Sequence, residues 1–147
     1  MKKVLVFGTF DILHPGHLYF LREAKKQGEH LTVVVTPSSV VKQLKGKAPL
    51  FGENHRVATV KLMSFVDAVA IGDHTLSSFS VLKKYKPDVI CFGYDQQTLE
   101  KYVNAYYKKT KEKIKFIHVK PYNPKTYKSG RLKKLLSGEE VCMRCRI

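Results

Sequence analysis

Hydrophobic periodicity switches back and forth between two repeats along this chain, and that alternation restricts its fold more than any other feature. Lys3–Phe7 is a short apolar run closed by Gly8, the form of a strand buried on both faces. Leu18, Leu21 and Ala24 then recur at helical spacing, and Gly28 stands where a C-terminal cap belongs. Leu31–Val35 reads as a second, β-branched strand, and Val40, Val41 and Leu44 predict a short helix before the loop Lys45–Pro49. Val57, Val60 and Phe65 carry a helix from about Glu53 to Ser64, followed by a strand at Ala68–Ile71 that Gly72 closes. Ser77 or Ser78 is placed to cap a helix to Tyr85, and Pro87-Asp88 opens a strand Val89–Phe92 that ends at Gly93. Gln96–Thr110 reads as a long polar helix, Ile114–Val119 as a fifth strand and Ser129–Leu136 as a final short helix.

Strand-helix alternation of this kind predicts an α/β fold: a single Rossmann-like, doubly wound parallel sheet of about five strands with helices on both faces. There is no internal repeat, low-complexity stretch or linker, so residues 1–147 read as one domain. The basic segment from about residue 120 is expected to complete the site, and 138–147 to form a flexible tail. In such sheets ligands sit at the carboxyl ends of the strands, beside the topological switch point, so motifs at strand exits carry the most weight.

Charge narrows the partners. Lys and Arg total 27 against 12 Asp and Glu, a net +15, of which +4 lies in residues 1–100 and +11 in the last 47. A surface this basic favours anionic partners: nucleic acid, membrane surface or phosphorylated metabolites. No apolar run reaches the 18 residues of a membrane span, and Gly8, Asp11 and His14 interrupt the N-terminal stretch before a signal-peptide core could form. The expectation is a cytoplasmic protein with no membrane partner. Three cysteines argue against a disulfide framework. Cys91 lies in an apolar run and reads as a small buried side chain, while Cys142-x-x-Cys145 is open to a redox or metal-ligand role or to none.

The strongest motif lies where the first strand ends. Gly8-Thr9-Phe10-Asp11-Ile12-Leu13-His14-Pro15-Gly16-His17 matches neither the dinucleotide fingerprint nor the Walker pattern. It places two histidines three apart around Pro-Gly at a helix start. Pro15 suits a first helical turn, and Gly16 lets a ligand approach the backbone. His14 and His17 project to one side, so that backbone N–H groups, the positive helix end and two imidazoles converge on a spot suited to phosphate. A zinc site is the rival reading, and it lacks a third ligand nearby.

Gly8-Thr9-Phe10-Asp11 with His14-Pro15-Gly16-His17 resembles the HxGH motif of the nucleotidyltransferase superfamily, in its cytidylyltransferase-like branch. The resemblance extends along most of the chain. Lys45-Gly46-Lys47-x-Pro49 resembles the family's mobile Lys loop, Glu53 and Arg56 its E-x-x-R helix start, and Val66-Asp67 the pair before the third strand. Lys86–Gln96 is similar to the KPDVI…GxD strand, and its Gly-Tyr-Asp-Gln ending looks most like the archaeal-type FAD synthases. Thr36-Pro37-Ser38 stands where that subgroup usually has Ala-Arg-Asp, and the last helix keeps one hydroxyl, Ser129, of a Ser/Thr-rich motif.

The resemblance implies transfer of AMP from ATP to the phosphate of FMN, giving FAD and pyrophosphate. The alternatives within the class are a cytidylyltransferase for glycerol 3-phosphate or a related alcohol phosphate, and a heptose-phosphate adenylyltransferase. It implies His14, His17 and Lys45 as catalytic residues, with Lys45 closing over the phosphates from a loop. Thr9, Phe10, His14, Pro15, Gly16, His17, Asp95, Tyr122 and Ser129 would bind nucleotide, Thr9 and Phe10 through backbone N–H groups. Asp11 and Arg56 would touch the acceptor. Mg²⁺ or another divalent cation is expected, bound mainly through the nucleotide rather than by a protein cage. A homodimer is also implied. From another class, a nucleic-acid-binding module remains open, with Tyr102, Tyr106, Tyr107 and Tyr127 stacking among the C-terminal lysines.

Overall fold

A computed structural model describes residues 1–122. The anticipated final helix, Ser129, Tyr127 and both tail cysteines therefore lie outside the described residues. Five parallel strands form one sheet in the order β3-β2-β1-β4-β5. They are β1 (Lys3–Gly8), β2 (His30–Val35), β3 (Ala68–Ile71), β4 (Val89–Phe92) and β5 (Lys115–His118), connected by α1 (Pro15–Lys25), α2 (Ser38–Lys45), α3 (Glu53–Lys61), α4 (Ser80–Tyr85) and α5 (Gln97–Thr110). The chain steps outward from β1 to β3, then returns to the other side of β1 for β4 and β5. The expected doubly wound sheet is present, and its switch point lies between β1 and β4.

Alternation along the central strands explains the two layers. Val4 and Val6 of β1 join Leu31, Val33 and Val35 of β2, Leu21 and Ala24 of α1 and Val60 of α3 in one core. Leu5 and Phe7 point the other way, onto Leu82 of α4 and Leu99 and Val103 of α5. Each strand feeds both faces, so the pattern reads as a continuous apolar run, as buried parallel strands require. Cys91 is fully buried in β4, and burial raises its thiol pKa to about 11, leaving it an inert packing group.

Several local details differ from the sequence reading. Leu18 is exposed, because the inward stripe of α1 runs His17, Leu21, Ala24, one position round from Leu18. Gly28 is no left-handed cap: Lys26 ends α1 with φ −62°, and among the described glycines it is Gly46 that has positive φ. A Cβ on Gly28 would instead stand 2.6 Å from the Lys2 carbonyl, so the glycine lets the chain pass the start of β1. α3 stops at Lys61 rather than Ser64. Neither Ser77 nor Ser78 caps α4. Asp73, after β3, accepts from the Ser80 N–H at 2.8 Å and from the Ser78 and Ser80 hydroxyls.

The lysines have a local rationale. Arg22 and Lys25 of α1, Lys42 and Lys45 of α2, Lys61 of α3, Lys83 and Lys84 of α4 and Lys108 and Lys109 of α5 occupy last helical turns, where they oppose the negative end of the helix dipole. Tyr107 is buried and Tyr106 packs edge-on against Phe79, so they belong to the core rather than to a stacking surface. Among the described residues no helix is long and apolar enough to cross a membrane.

Candidate active site

A cavity of about 500 Å³ opens over the switch point. The β1 exit supplies one wall, with Thr9 and Phe10, and α1 adds His14, Gly16 and His17. Tyr94 and Asp95 come from the β4 exit, Lys120 and Tyr122 from the β5 exit, and Lys45 from the end of α2. Eight of the anticipated site residues thus share one space. Pro15, Asp11 and Arg56 do not line it.

Gly8-Thr9-Phe10 makes the sharp turn out of β1. Phe10 adopts φ +51°, a left-handed conformation that costs a bulky residue about 1–3 kcal/mol, and its ring is buried in the core. That ring lies against Gly8, where a Cβ would come within 2.3 Å of it. The strained Phe10 holds the turn shut and dictates glycine at position 8.

His14 is the N-cap of α1, and its Nδ1 accepts the Gly16 N–H at 3.0 Å. With Nδ1 so occupied, the neutral ring carries its proton on Nε2. A Cβ on Gly16 would stand 2.8 Å from the His14 ring. The glycine therefore admits the imidazole as well as a ligand, and its N–H is satisfied within the protein rather than held open. Pro15 begins the helix, where its lacking N–H leaves nothing unsatisfied.

The two imidazoles stack with centroids 3.9 Å apart and planes 25° from parallel. Burial pushes the His14 pKa down to about 4, against an upward pull from the Asp95 charge. Burial lowers His17 to about 3, aided by the nearness of His14 and Lys45 and opposed by a backbone hydrogen bond with Ile12. Both are neutral near pH 7 without ligand. Lys45 closes the other side, its Nζ donating to the Thr9 hydroxyl at 3.1 Å. It sits on the last turn of α2 rather than on a loop, since the helix runs through it to a left-handed cap at Gly46. Tyr122 stacks on Tyr19 at 5.3 Å and 28°, presenting a flat aromatic wall.

Asp11 and Arg56 turn inward, away from the acceptor role anticipated for them. The Asp11 carboxylate accepts the Leu50 N–H at 2.7 Å and the Phe51 N–H at 2.9 Å. Arg56 is fully buried and donates to the carbonyls of Phe51 (3.0 Å), Thr9 (2.9 Å) and Thr36 (2.7 Å) and to the Ser38 hydroxyl (3.1 Å). Burial lowers its pKa, countered by Asp11 and Glu53. Glu53 accepts the Ser38 N–H at 2.7 Å, so the E-x-x-R pair grips one residue from two sides. These four ties join the exits of β1 and β2 to the 46–52 loop. Two acceptors of Arg56 are main-chain carbonyls at strand ends, which no side-chain pattern reveals.

Asp95 is the one carboxylate among the cavity-lining residues, and among the described residues no group of three or more His, Cys, Asp or Glu is placed to hold a metal ion. A divalent cation carried by ligand phosphates needs few protein donors, and Asp95 is a carboxylate placed where one would lie.

Two predictions follow from these contacts. Arg56→Ala leaves buried carbonyls without donors and should cost about 3–5 kcal/mol in urea unfolding, with Arg56→Lys recovering part of the loss. For His14 and His17, the unfolded chain takes up protons near the ordinary value of 6.5 while the folded chain does not until about 4 and 3. Stability should therefore be flat above about pH 6.5 and fall as the pH drops from there towards 3. Between about pH 6.5 and 5, above the carboxylate range, a His14→Asn/His17→Asn protein should show a shallower fall in urea midpoint than the wild type.

Comparison with known proteins agrees with this fold. The sequence matches the cytidylyltransferase-like family over residues 5–134. It is 40% identical over 122 residues to an FAD synthase of Aciduliprofundum boonei, covering 83% of this chain and 80% of that one. It is 34% identical over 134 residues to an FAD synthase of Thermoplasma volcanium, covering 91% and 93%. A solved Thermoplasma volcanium structure, described as a lipopolysaccharide core biosynthesis protein, superposes with a TM-score of 0.76 at 35% identity over 84% of this chain and 99% of that one. The chain belongs to the cytidylyltransferase-like family.

Proposed function

We propose that this protein is a nucleotidyltransferase that makes FAD by transferring AMP from ATP to FMN. The observation that carries the reading is the stacked His14–His17 pair at the N-terminus of α1, facing Lys45 across the switch-point cavity. FAD synthases resembling the chain over most of its length direct that chemistry to FMN.

An FMN phosphate oxygen attacks the α-phosphorus of ATP, the bond to the bridging oxygen breaks, and pyrophosphate leaves with the electron pair. The attacking oxygen is already anionic near pH 7, because its second pKa is about 6, so no general base is needed. The protein's task is alignment and the dispersal of charge. His14 donates from Nε2 and His17 from the second ring of the stack, both to α- and β-phosphate oxygens. As neutral donors they bind without mutual repulsion, and charge accumulating on the leaving pyrophosphate raises their proton affinity as the reaction advances. Lys45 leaves the Thr9 hydroxyl to meet the phosphates. Thr9 and Phe10 offer backbone N–H groups, Asp95 the ribose contact, and Tyr122 a face for the adenine. Ser129 would join them from the segment beyond residue 122. A divalent cation, Mg²⁺ in this reading, supplies neutralisation of the triphosphate when bound.

The reading extends to a homodimer acting in the cytoplasm. Edge strand β3 ends in a 40% exposed Ile71, an apolar residue on the open side of the sheet that a second copy would cover. Sedimentation at monomer mass would overturn the dimer.

The deciding assay is pyrophosphate release with Mg²⁺, crossing ATP and CTP with FMN, glycerol 3-phosphate and a heptose phosphate. Release with ATP and FMN alone, with FAD formed and loss on chelation, is expected. His14→Ala and His17→Ala should each lower kcat by about 10²–10³-fold. Turnover of CTP with glycerol phosphate, or of a heptose phosphate, would assign the protein to one of the neighbouring specificities instead.

A further inference from the structure

The β1–β4 ladder ends one rung short of the cavity. Its register runs Val4↔Val89, Leu5↔Ile90, Val6↔Cys91, whereas β1 stays paired with β2 as far as Gly8↔Val35. Continued in parallel register, the next β1–β4 bond would run from the Gly93 N–H to the Phe7 carbonyl. A side-chain amide stands in its place. Gln96 Oε1 accepts the Gly93 N–H at 2.8 Å, and its Nε2 donates to the Phe7 carbonyl at 2.8 Å. Both main-chain groups are satisfied, yet the strands are held apart by the width of an amide. Phe7, Gly93 and Gln96 all line the cavity floor.

We propose that Gln96 is a positioning residue: its amide is a wedge that sets the separation between the β1 exit, which carries His14 and His17, and the β4 exit, which carries Asp95. This rests on the proposed ATP site, where one wall would take the phosphates and the other the nucleoside. The spacing of the two walls then fixes where the α-phosphorus lies between the histidines and the acceptor. Gln suits the position chemically, because the group must accept on one side and donate on the other. Glutamate keeps the acceptor for Gly93 but sets an oxygen against the Phe7 carbonyl oxygen, and only its protonated form restores the donor.

The test uses the full chain with Gln96→Glu and Gln96→Met. Gln96→Glu should lower kcat for pyrophosphate release by about 10²-fold, while KM for ATP moves less than about threefold. Its rate relative to wild type should recover as the pH falls from about 8 to 5.5, as the carboxyl takes up a proton. Gln96→Met should lose rate without any such recovery. Amide exchange at Gly93 should quicken at pH 8 in Gln96→Met, which loses the acceptor for that N–H, a readout that needs no turnover. Wild-type kcat in Gln96→Glu, or equal pH-independent losses in both variants, would overturn the wedge, as would unchanged exchange at Gly93 in Gln96→Met. Failure of the wild-type protein to form FAD would instead overturn the proposed reaction, while the Gly93 exchange and ATP affinity of the variants would still decide the role of Gln96.

Discussion

One buried guanidinium holds the working end of this molecule together. A sheet of parallel strands delivers its loops to a common edge but does not by itself fix their conformations, since each strand exit ends with carbonyls that have lost their ladder partners. Arg56 collects two such carbonyls, at Thr9 and Thr36, together with that of Phe51 in the loop before α3, and adds the Ser38 hydroxyl at the start of α2. Its planar fork serves several acceptors at once, which an ammonium group does less well. Asp11 and Glu53 lie near enough to favour its charge, and each also takes backbone N–H groups from the segments that Arg56 binds. The strained turn at Phe10, the placement of Thr9 and hence the contact from Lys45 all depend on this cluster.

The stacked imidazoles depend on it in turn. Two histidines in ring contact could not both be charged in a half-buried site, and their low pKa values show that the fold keeps them neutral. In the proposed reaction a neutral pair would meet phosphate through directed N–H groups instead of bare charge, with proton affinity in reserve for the negative charge that builds up on the leaving group. Lysines around the rim would then supply the long-range attraction, and the histidines the geometry.

Much of this architecture was legible in the sequence because it is written in side-chain type and spacing. All five strands and the parallel doubly wound sheet follow from apolar runs and Gly punctuation, and the meeting of Thr9, His14 and His17 at the β1 exit from one motif, whereas Lys45 and Asp95 come from the family resemblance alone. Less legible were contacts between a side chain and a distant backbone group. Asp73 capping α4, Asp11 holding Leu50 and Phe51, and Gln96 bridging Gly93 to Phe7 leave no periodic trace. Gly28 misled because a glycine after a helix has two uses, left-handed φ and close approach, and spacing cannot separate them. Leu18 misled for a related reason: a stripe drawn from 18 or from 17 looks equally helical, and only the position of Phe10 decides which one faces inward.

Polar residues near a strand exit therefore divide by what their backbone neighbours lack. Where a loop leaves carbonyls or N–H groups unpaired in a buried place, a nearby Asp, Arg or Gln is drawn in to satisfy them, since an unmet group there costs about 1–3 kcal/mol. Asp11, Arg56 and Gln96 answer that need. His14 caps its own helix through Nδ1, and Lys45 donates to the Thr9 hydroxyl beside the cavity. Motif residues thus fall into those that shape the cavity and those that act within it, and the first group accounts for why the second can be neutral, close together and aimed at one point.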